Sequence, residues 1–361
     1  MVLLLSARPP IGPEHAHVVL RAWPEMDGAQ LRRLGSGLIN DTFGVQTVGG
    51  QAYVLQRVHP VFAPEIHHNI ARVTARLAER GLATPRLIPT TAGARWTTVD
   101  DAPWRLMTRV PGVTHDAVVG PKQAHAAAAL LGRFHSALHA LPAEDFVGLR
   151  SGVHDTPAHL ARLRDAVDTC KSHRLYESVA PLASRLLEAA DRLPSLPDAP
   201  PRIMHGDPKL NNVVFAGADG PEAARAVAWI DLDTVGPLPL AYEMGDAWRS
   251  WCNPAGEDAE VAVFDHAVFT ASLEGWAGTD PPPPTLPERE GLLLGVEWIT
   301  LELAARFAAD ALLESYFGWD PARFAGRGEH NRARARSQWS LHELVVASRS
   351  ARQAALTRAL D

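Results

Sequence analysis

His205-Gly206-Asp207-Pro208-Lys209-Leu210-Asn211-Asn212 runs directly into Val213-Val214-Phe215, and a later apolar stretch ends in Ile230-Asp231-Leu232-Asp233. Asp and Asn are ordinary turn residues taken singly. Together, an HGD, an Asn five positions after its Asp, a β-rich run and an apolar strand closing on DLD make a chemical pattern. Phosphoryl transfer asks for an aligned acceptor hydroxyl, a group to receive its proton, and metal on the phosphates. Asp207 is the candidate proton acceptor, and Asn212 and Asp231 are candidate ligands for Mg²⁺, which prefers hard oxygen atoms. Lys209 can act as a mobile point charge on the γ-phosphate of ATP.

Outward from this stretch, two styles of sequence divide the chain. Residues 34–48 and 52–58 alternate apolar and polar around Gly49-Gly50, which predicts a hairpin. Ile66, Ile70, Val73 and Leu77 have helical spacing, and residues 84–112 read as further short strands. Residues 1–107 are therefore expected to form an α+β lobe that covers a nucleotide. Residues 108–361 are expected to be mainly helical, with helices over 122–141, 160–193, 291–313 and 333–356 and one inserted hairpin. Four consecutive prolines from Pro281 predict an exposed loop.

Composition excludes several classes. The 361 residues are 46% hydrophobic and 21% charged, with 35 basic against 41 acidic side chains and a net charge of −6. This is a globular balance, without the basic face of a nucleic-acid binder. No apolar run approaches membrane-spanning length, and none near the start fits a secretory signal. The only two cysteines, Cys170 and Cys252, suit a reducing cytoplasm, where the chain is expected. Most of the sixteen histidines read as bland: His67 and His68 in an exposed segment, His135 in a core. No oligomeric state follows.

The HGD-x-x-x-x-N loop and the Asp after an apolar strand resemble the aminoglycoside phosphotransferase and choline kinase superfamily. Arg105-Leu106-Met107-Thr108-Arg109-Val110-Pro111-Gly112 looks like its hinge, and Leu131-Gly132-Arg133-Phe134-His135 like its LG-x-FH helix. The resemblance implies a two-lobed protein-kinase-like fold, ATP and Mg²⁺, with Thr108 and Val110 at the nucleotide. Three segments resemble the N-acetylhexosamine 1-kinases more narrowly: 39–43 with 55–57, 209–213 with 230–235, and a tail carrying 299–302, Arg306-Phe307, Tyr316-Phe317 and 330–334. That likeness implies a sugar acceptor phosphorylated at its anomeric hydroxyl, and makes Asp41, His205, Arg306, Tyr316 and Trp339 candidates for the sugar pocket. Other acceptors of the superfamily remain open, among them aminoglycosides, choline-like alcohols, homoserine and methylthioribose. A pseudokinase would be expected to have lost Asp207, Asn212 or Asp231, and all three are present.

Two departures stand out. Leu38 takes the place of a His, and Glu243 in Tyr242-Glu243-Met244-Gly245-Asp246 takes the place of the Asp that braces the loop, a task open to Glu243 or Asp246. In the small lobe, Gly35 and Gly37 can offer backbone N–H groups to phosphate. A kinase usually adds a basic side chain on the third strand. Gln56 has that register here while Arg57 has the charge, and alternation sends the two to opposite faces. Arg57 is the expected phosphate contact.

Overall fold

The computed structural model describes residues 11–34 and 40–361. Gly35, Gly37 and Leu38, with the expectations attached to them, lie outside the described residues. The chain begins with α1 (Pro13–Leu20), β1 (Gln30–Arg33), β2 (Asp41–Gln46) and β3 (Ala52–Arg57), then α2 (Ile66–Glu79), β4 (Leu87–Ile88), β5 (Thr97–Val99) and β6 (Ala102–Thr108). The strands form one antiparallel sheet in the order β1-β2-β3-β6-β4, with β5 also on β6. The Gly49-Gly50 turn joins β2 to β3 as the alternation predicted. Phe43, Leu55, Trp104 and Leu106 share one face of this sheet and bury themselves against Ala16, Val19 and Leu20 of α1. Thr42, Gln56 and Arg105 lie in register on the other face.

The second lobe is helical, with α3 (Pro121–Leu138), α4 (Thr156–Thr169) and α5 (Tyr176–Arg192) first. Then come β7 (Arg202–Met204), β8 (Val213–Phe215), α6 (Gly220–Ala223), β9 (Ala226–Trp229) and β10 (Gly236–Leu238). The chain closes with α7 (Leu240–Trp251), α8 (His266–Ala277), α9 (Leu286–Leu313), α10 (Arg327–Ala347) and α11 (Arg349–Leu360). This is the expected α+β, two-lobed protein-kinase-like fold. Two long helical stretches of the sequence each resolve into two helices, α4 with α5 and α10 with α11. Helix α9 starts at a full capping box: Thr285 accepts from the Glu288 N–H, and Glu288 reaches back to the Thr285 N–H.

A large core gathers α2, α3, α7, α8 and the β7–β10 and β8–β9 strand pairs, and a second fills the space between α4, α5, α9 and α10. Helices α3 and α8 approach very closely. A Cβ on Gly275 would stand 2.2 Å from the His125 carbonyl oxygen, and one on Gly132 would stand 2.1 Å from Thr279 Oγ1. Among the described residues, no helix is long and apolar enough to cross a membrane.

Candidate active site

Strand β7 delivers His205, Gly206 and Asp207, and its antiparallel partner β10 leads away from Asp231 and Asp233, so the two acidic stretches lie side by side. Between them the β8–β9 pair folds back, and the Ile230 N–H donates to the Asn212 carbonyl at 2.9 Å. Gly206 has φ +80, and a Cβ there would sit 2.5 Å from the Thr234 carbonyl oxygen. Only glycine fits such a turn without strain.

The loop is suspended from Glu243 on α7. The buried carboxylate accepts the N–H groups of His205 at 3.0 Å and Gly206 at 2.9 Å. His135 Nε2 reaches the same group at 3.3 Å, and Trp276 Nε1 donates to His135 Nδ1 at 3.1 Å. That last bond leaves the proton of His135 on Nε2, facing Glu243. Burial works against the charge of Glu243, but the His135 hydrogen bond, the nearby histidines and the Gly206 N–H together hold its carboxyl below the usual range. Glu243 thus does the bracing, while Asp246 pairs with Arg249 at 2.7 Å.

Asp207 remains partly open to solvent. Its Oδ2 accepts from Lys209 Nζ at 2.9 Å and from Asn212 Nδ2 at 3.2 Å, and Asn212 Nδ2 also donates to the Asp207 carbonyl at 2.8 Å. Spending its amide protons in this way leaves Oδ1 as the acceptor atom of the Asn212 side chain. The Asp207 charge is the main influence raising the Lys209 pKa, so the ammonium stays charged. Asp231 follows with φ 61, and its surroundings push its carboxyl well above the usual range: withdrawal from bulk water first, then the Asp233 and Asp207 charges. Its side chain is nevertheless exposed to the cleft, so water tempers the first of these causes. A crowded carboxylate facing a cleft is what a bound cation relieves. A carboxylate and an amide oxygen are the hard donors that Mg²⁺ prefers. Among the described residues, no group of three His, Cys, Asp or Glu side chains converges on a metal.

Several expectations are corrected. His205 is fully buried against Trp229, and its Nε2 donates to the Ile230 carbonyl at 2.9 Å. It ties the loop to the Asp231 strand, and its ring is closed off from solvent. Asp41 binds Arg33 at 2.7 Å and Arg57 at 2.8 Å on the sheet face that packs on α1. Arg57 therefore turns away from Asp231 along with Asp41. The cation on the cleft-facing row is Arg105, which was assigned to the hinge and lies inside β6. Its Nε and Nη2 reach Gln56 Oε1 at 2.9 and 2.7 Å, and its Nη1 donates to the buried Asp233. Thr108 ends β6, where its N–H and Oγ1 are both bonded to Arg86. Val110 lies in the connection to Val113, which exchanges two hydrogen bonds with Phe215 of β8. Trp339 is buried between α5, α9 and α10 with Arg185 stacked on its ring, so it belongs to the second core. His67, expected at the surface, is fully buried.

Beside Gly206 and Asp233 opens a cavity of about 520 Å³ whose walls include Phe62, Arg150, His154, Asp155 and Tyr242. His154 and Tyr242 stack nearly parallel, with centroids 4.8 Å apart. Behind them Glu302 of α9 accepts from His154 and Thr156 and holds Arg306 at 3.6 Å. The Arg306 guanidinium lies over the Tyr316 ring, whose hydroxyl accepts from Arg150. Asp310 fixes that loop by accepting the N–H groups of Ser315, Tyr316 and Phe317. Arg306 and Tyr316 thus stand behind the cavity, and Tyr242, His154, Arg150 and Glu302 are the residues the sequence did not reveal. Tyr242 carried a signal through its place beside Glu243, and Glu302 through the tail segment 299–302. A second cavity, of about 400 Å³ between α9 and α11, shares none of these lining residues.

Comparison with known proteins agrees with the fold. An aminoglycoside phosphotransferase from Alicyclobacillus acidocaldarius superposes with a TM-score of 0.61 at 18% identity, covering 98% of this chain and 97% of that one. The amicoumacin kinase hAmiN, solved with AMP-PNP, Ca²⁺ and Ami, gives 0.56 at 13%, covering 87% and 88%. A choline/ethanolamine kinase family protein from Mesorhizobium loti gives 0.56 at 15%, covering 95% and 98%. At these identities the likeness is one of fold. A family model described as the phosphotransferase enzyme family matches residues 30–281, which is most of the chain and includes every loop residue above, and the chain belongs to that family.

Proposed function

We propose that the chain is an ATP-dependent small-molecule kinase whose acceptor is a sugar, an N-acetylhexosamine or related hexose phosphorylated at its anomeric hydroxyl. The observation that carries the kinase reading is the Asp207 carboxylate, fixed by Lys209 and Asn212 yet open to the cleft. In this reading residues 1–107 cover the nucleotide and residues 108–361 carry the acceptor. Asp207 aligns the acceptor hydroxyl and takes its proton as the oxygen attacks the γ-phosphorus and the bond from that phosphorus to the bridging oxygen of the departing ADP breaks. Lys209 pairs with the Asp207 carboxylate at 2.9 Å and faces the transferring group. Asn212 Oδ1 and Asp231 are the residues that would hold Mg²⁺, whose chemistry is to neutralise charge along the phosphates. Positioning and electrostatics supply most of the rate.

The sugar reading rests on the three segment resemblances and on the cavity beside the loop. Its volume suits a small ligand, and its walls combine charged groups that match hydroxyls with the His154–Tyr242 stack for an apolar sugar face. The test is ADP release with ATP and Mg²⁺ against free hexoses, N-acetylhexosamines, choline, ethanolamine and aminoglycosides. Turnover is expected with a hexose or N-acetylhexosamine, and Asp207→Asn is expected to lose about 10²–10⁴-fold in kcat. Turnover only with amino alcohols or aminoglycosides would remove the sugar reading. Wild-type rates in Asp207→Asn would remove the assigned base.

A further inference from the structure

Asp233 stands two residues after Asp231, is buried, and faces two elements of the small lobe at once. Its Oδ1 accepts from Arg105 on β6, and its Oδ2 accepts from Asn40 Nδ2 at 2.8 Å. Asn40 is itself fixed, because its Oδ1 accepts the His59 N–H at 2.9 Å. Arg105 is fixed by its fork onto Gln56. In protein kinases a third-strand Lys is paired with a carboxylate of the small-lobe helix. Here the inward third-strand residue is Gln56. The acidic residue of α2 is Glu79 at its far end, paired with Arg76. The α2 side chain that feels both Arg105 and Asp233 is His67, which burial keeps neutral. The sheet cation therefore finds its carboxylate on the Asp231 loop instead.

Two further observations give that pair a task. Asp231 holds a left-handed backbone, which a non-glycine residue keeps only where its surroundings impose it. Asp233 anchors the loop on one side, and the Ile230–Asn212 bond anchors it on the other. A buried ion pair gains little stability over a well-packed apolar pair, so fixing a geometry is the better account of one at this spot.

We propose that the Arg105–Asp233 pair is the joint that sets Asp231 for the metal of a metal–nucleotide complex, with Arg105 and Asn40 as positioning residues. The proposal rests on the kinase reading above. Its test is calorimetric titration of AMP-PNP, with Mg²⁺ and with EDTA, into the wild type, Arg105→Gln, Arg105→Lys and Asp233→Asn, each first checked for a cooperative thermal transition. Arg105→Gln and Asp233→Asn should lose about 10–100-fold of the Mg²⁺-dependent affinity, while affinity in EDTA stays within about twofold. Arg105→Lys should regain most of the loss. If Arg105→Gln fails to fold, the other two variants carry the test. Equal losses with and without Mg²⁺, or no loss in any folded variant, overturn the joint alone. A wild type whose nucleotide binding ignores Mg²⁺ overturns both the joint and the kinase reading.

Discussion

The Asp207 loop and the cavity wall proposed to take the acceptor are built in opposite ways. Around Asp207 the side chains bond mostly to backbone, from parts of the chain at most 43 residues away: Asn212 to the Asp207 carbonyl, Thr234 to the His205 carbonyl, Trp251 to the Pro208 carbonyl. The wall consists of side chains reaching one another from remote parts of the chain, His154 and Thr156 to Glu302, Arg150 to Tyr316. Backbone-built geometry tolerates little change, because each side chain serves groups that every residue type shares. Side-chain geometry can be rewritten one substitution at a time. A protein made this way can keep its chemistry fixed while its acceptor varies.

Substitutions can break or sharpen that contrast. The largest effect is expected at the brace. Glu243→Ala would strand two buried loop N–H groups and His135, at a cost of roughly 3–5 kcal/mol in unfolding free energy and with most of the turnover. Urea denaturation and kcat measure it, and a loss below about 1 kcal/mol would mean that the loop stands without its support. Acid comes next. Burial lowers the pKa of His67 and of His342 to about 4. Below the ordinary value near 6.5 the unfolded chain binds protons that the folded chain refuses. Stability should therefore be flat above about pH 6.5 and fall toward pH 4, by about 3 kcal/mol for each histidine. A stability plateau maintained down to pH 4.5 would contradict this burial.

The wall should respond more mildly and more selectively. Tyr242→Ala is expected to raise the KM for the acceptor about tenfold and leave the KM for ATP within about twofold, since it removes binding remote from the reacting atoms. Equal changes in both constants would make the wall part of the loop's machinery. The smallest effect is expected at Arg57. Arg57→Gln should change the KM for ATP by less than about twofold, and stability by up to about 1 kcal/mol through the lost Asp41 pair. A tenfold rise in the KM for ATP would return Arg57 to the phosphates.

The loop was legible in the sequence because its parts lie within thirty residues and each role demands a residue type. The Gly49-Gly50 hairpin and the helical period of α2 were legible for the same local reason. Arg105 was not, since its function comes from strand pairing: only the Gln56–Arg105 register shows that β6 supplies the cation to the inward row. Alternation separated Gln56 from Arg57 correctly, but choosing the inward face needed α1, whose packing lies outside that local pattern. Tyr242 and His154 meet only after α7 and the loop before α4 have packed, so no spacing announces them. Trp339 had the composition of a sugar platform and the burial of a core residue, and composition cannot separate the two.

The chain of contacts from Glu243 through His135 to Trp276 carries a further consequence. Three helices, α7, α3 and α8, share custody of the catalytic turn, and α8 contributes from outside the cleft. The glycine-lined seam between α3 and α8 leaves no slack, so any wedge entering it would tilt His135 and, through Glu243, the base itself. A methyl group added at Gly132 or Gly275 would therefore reach the Asp207 loop through Trp276, His135 and Glu243.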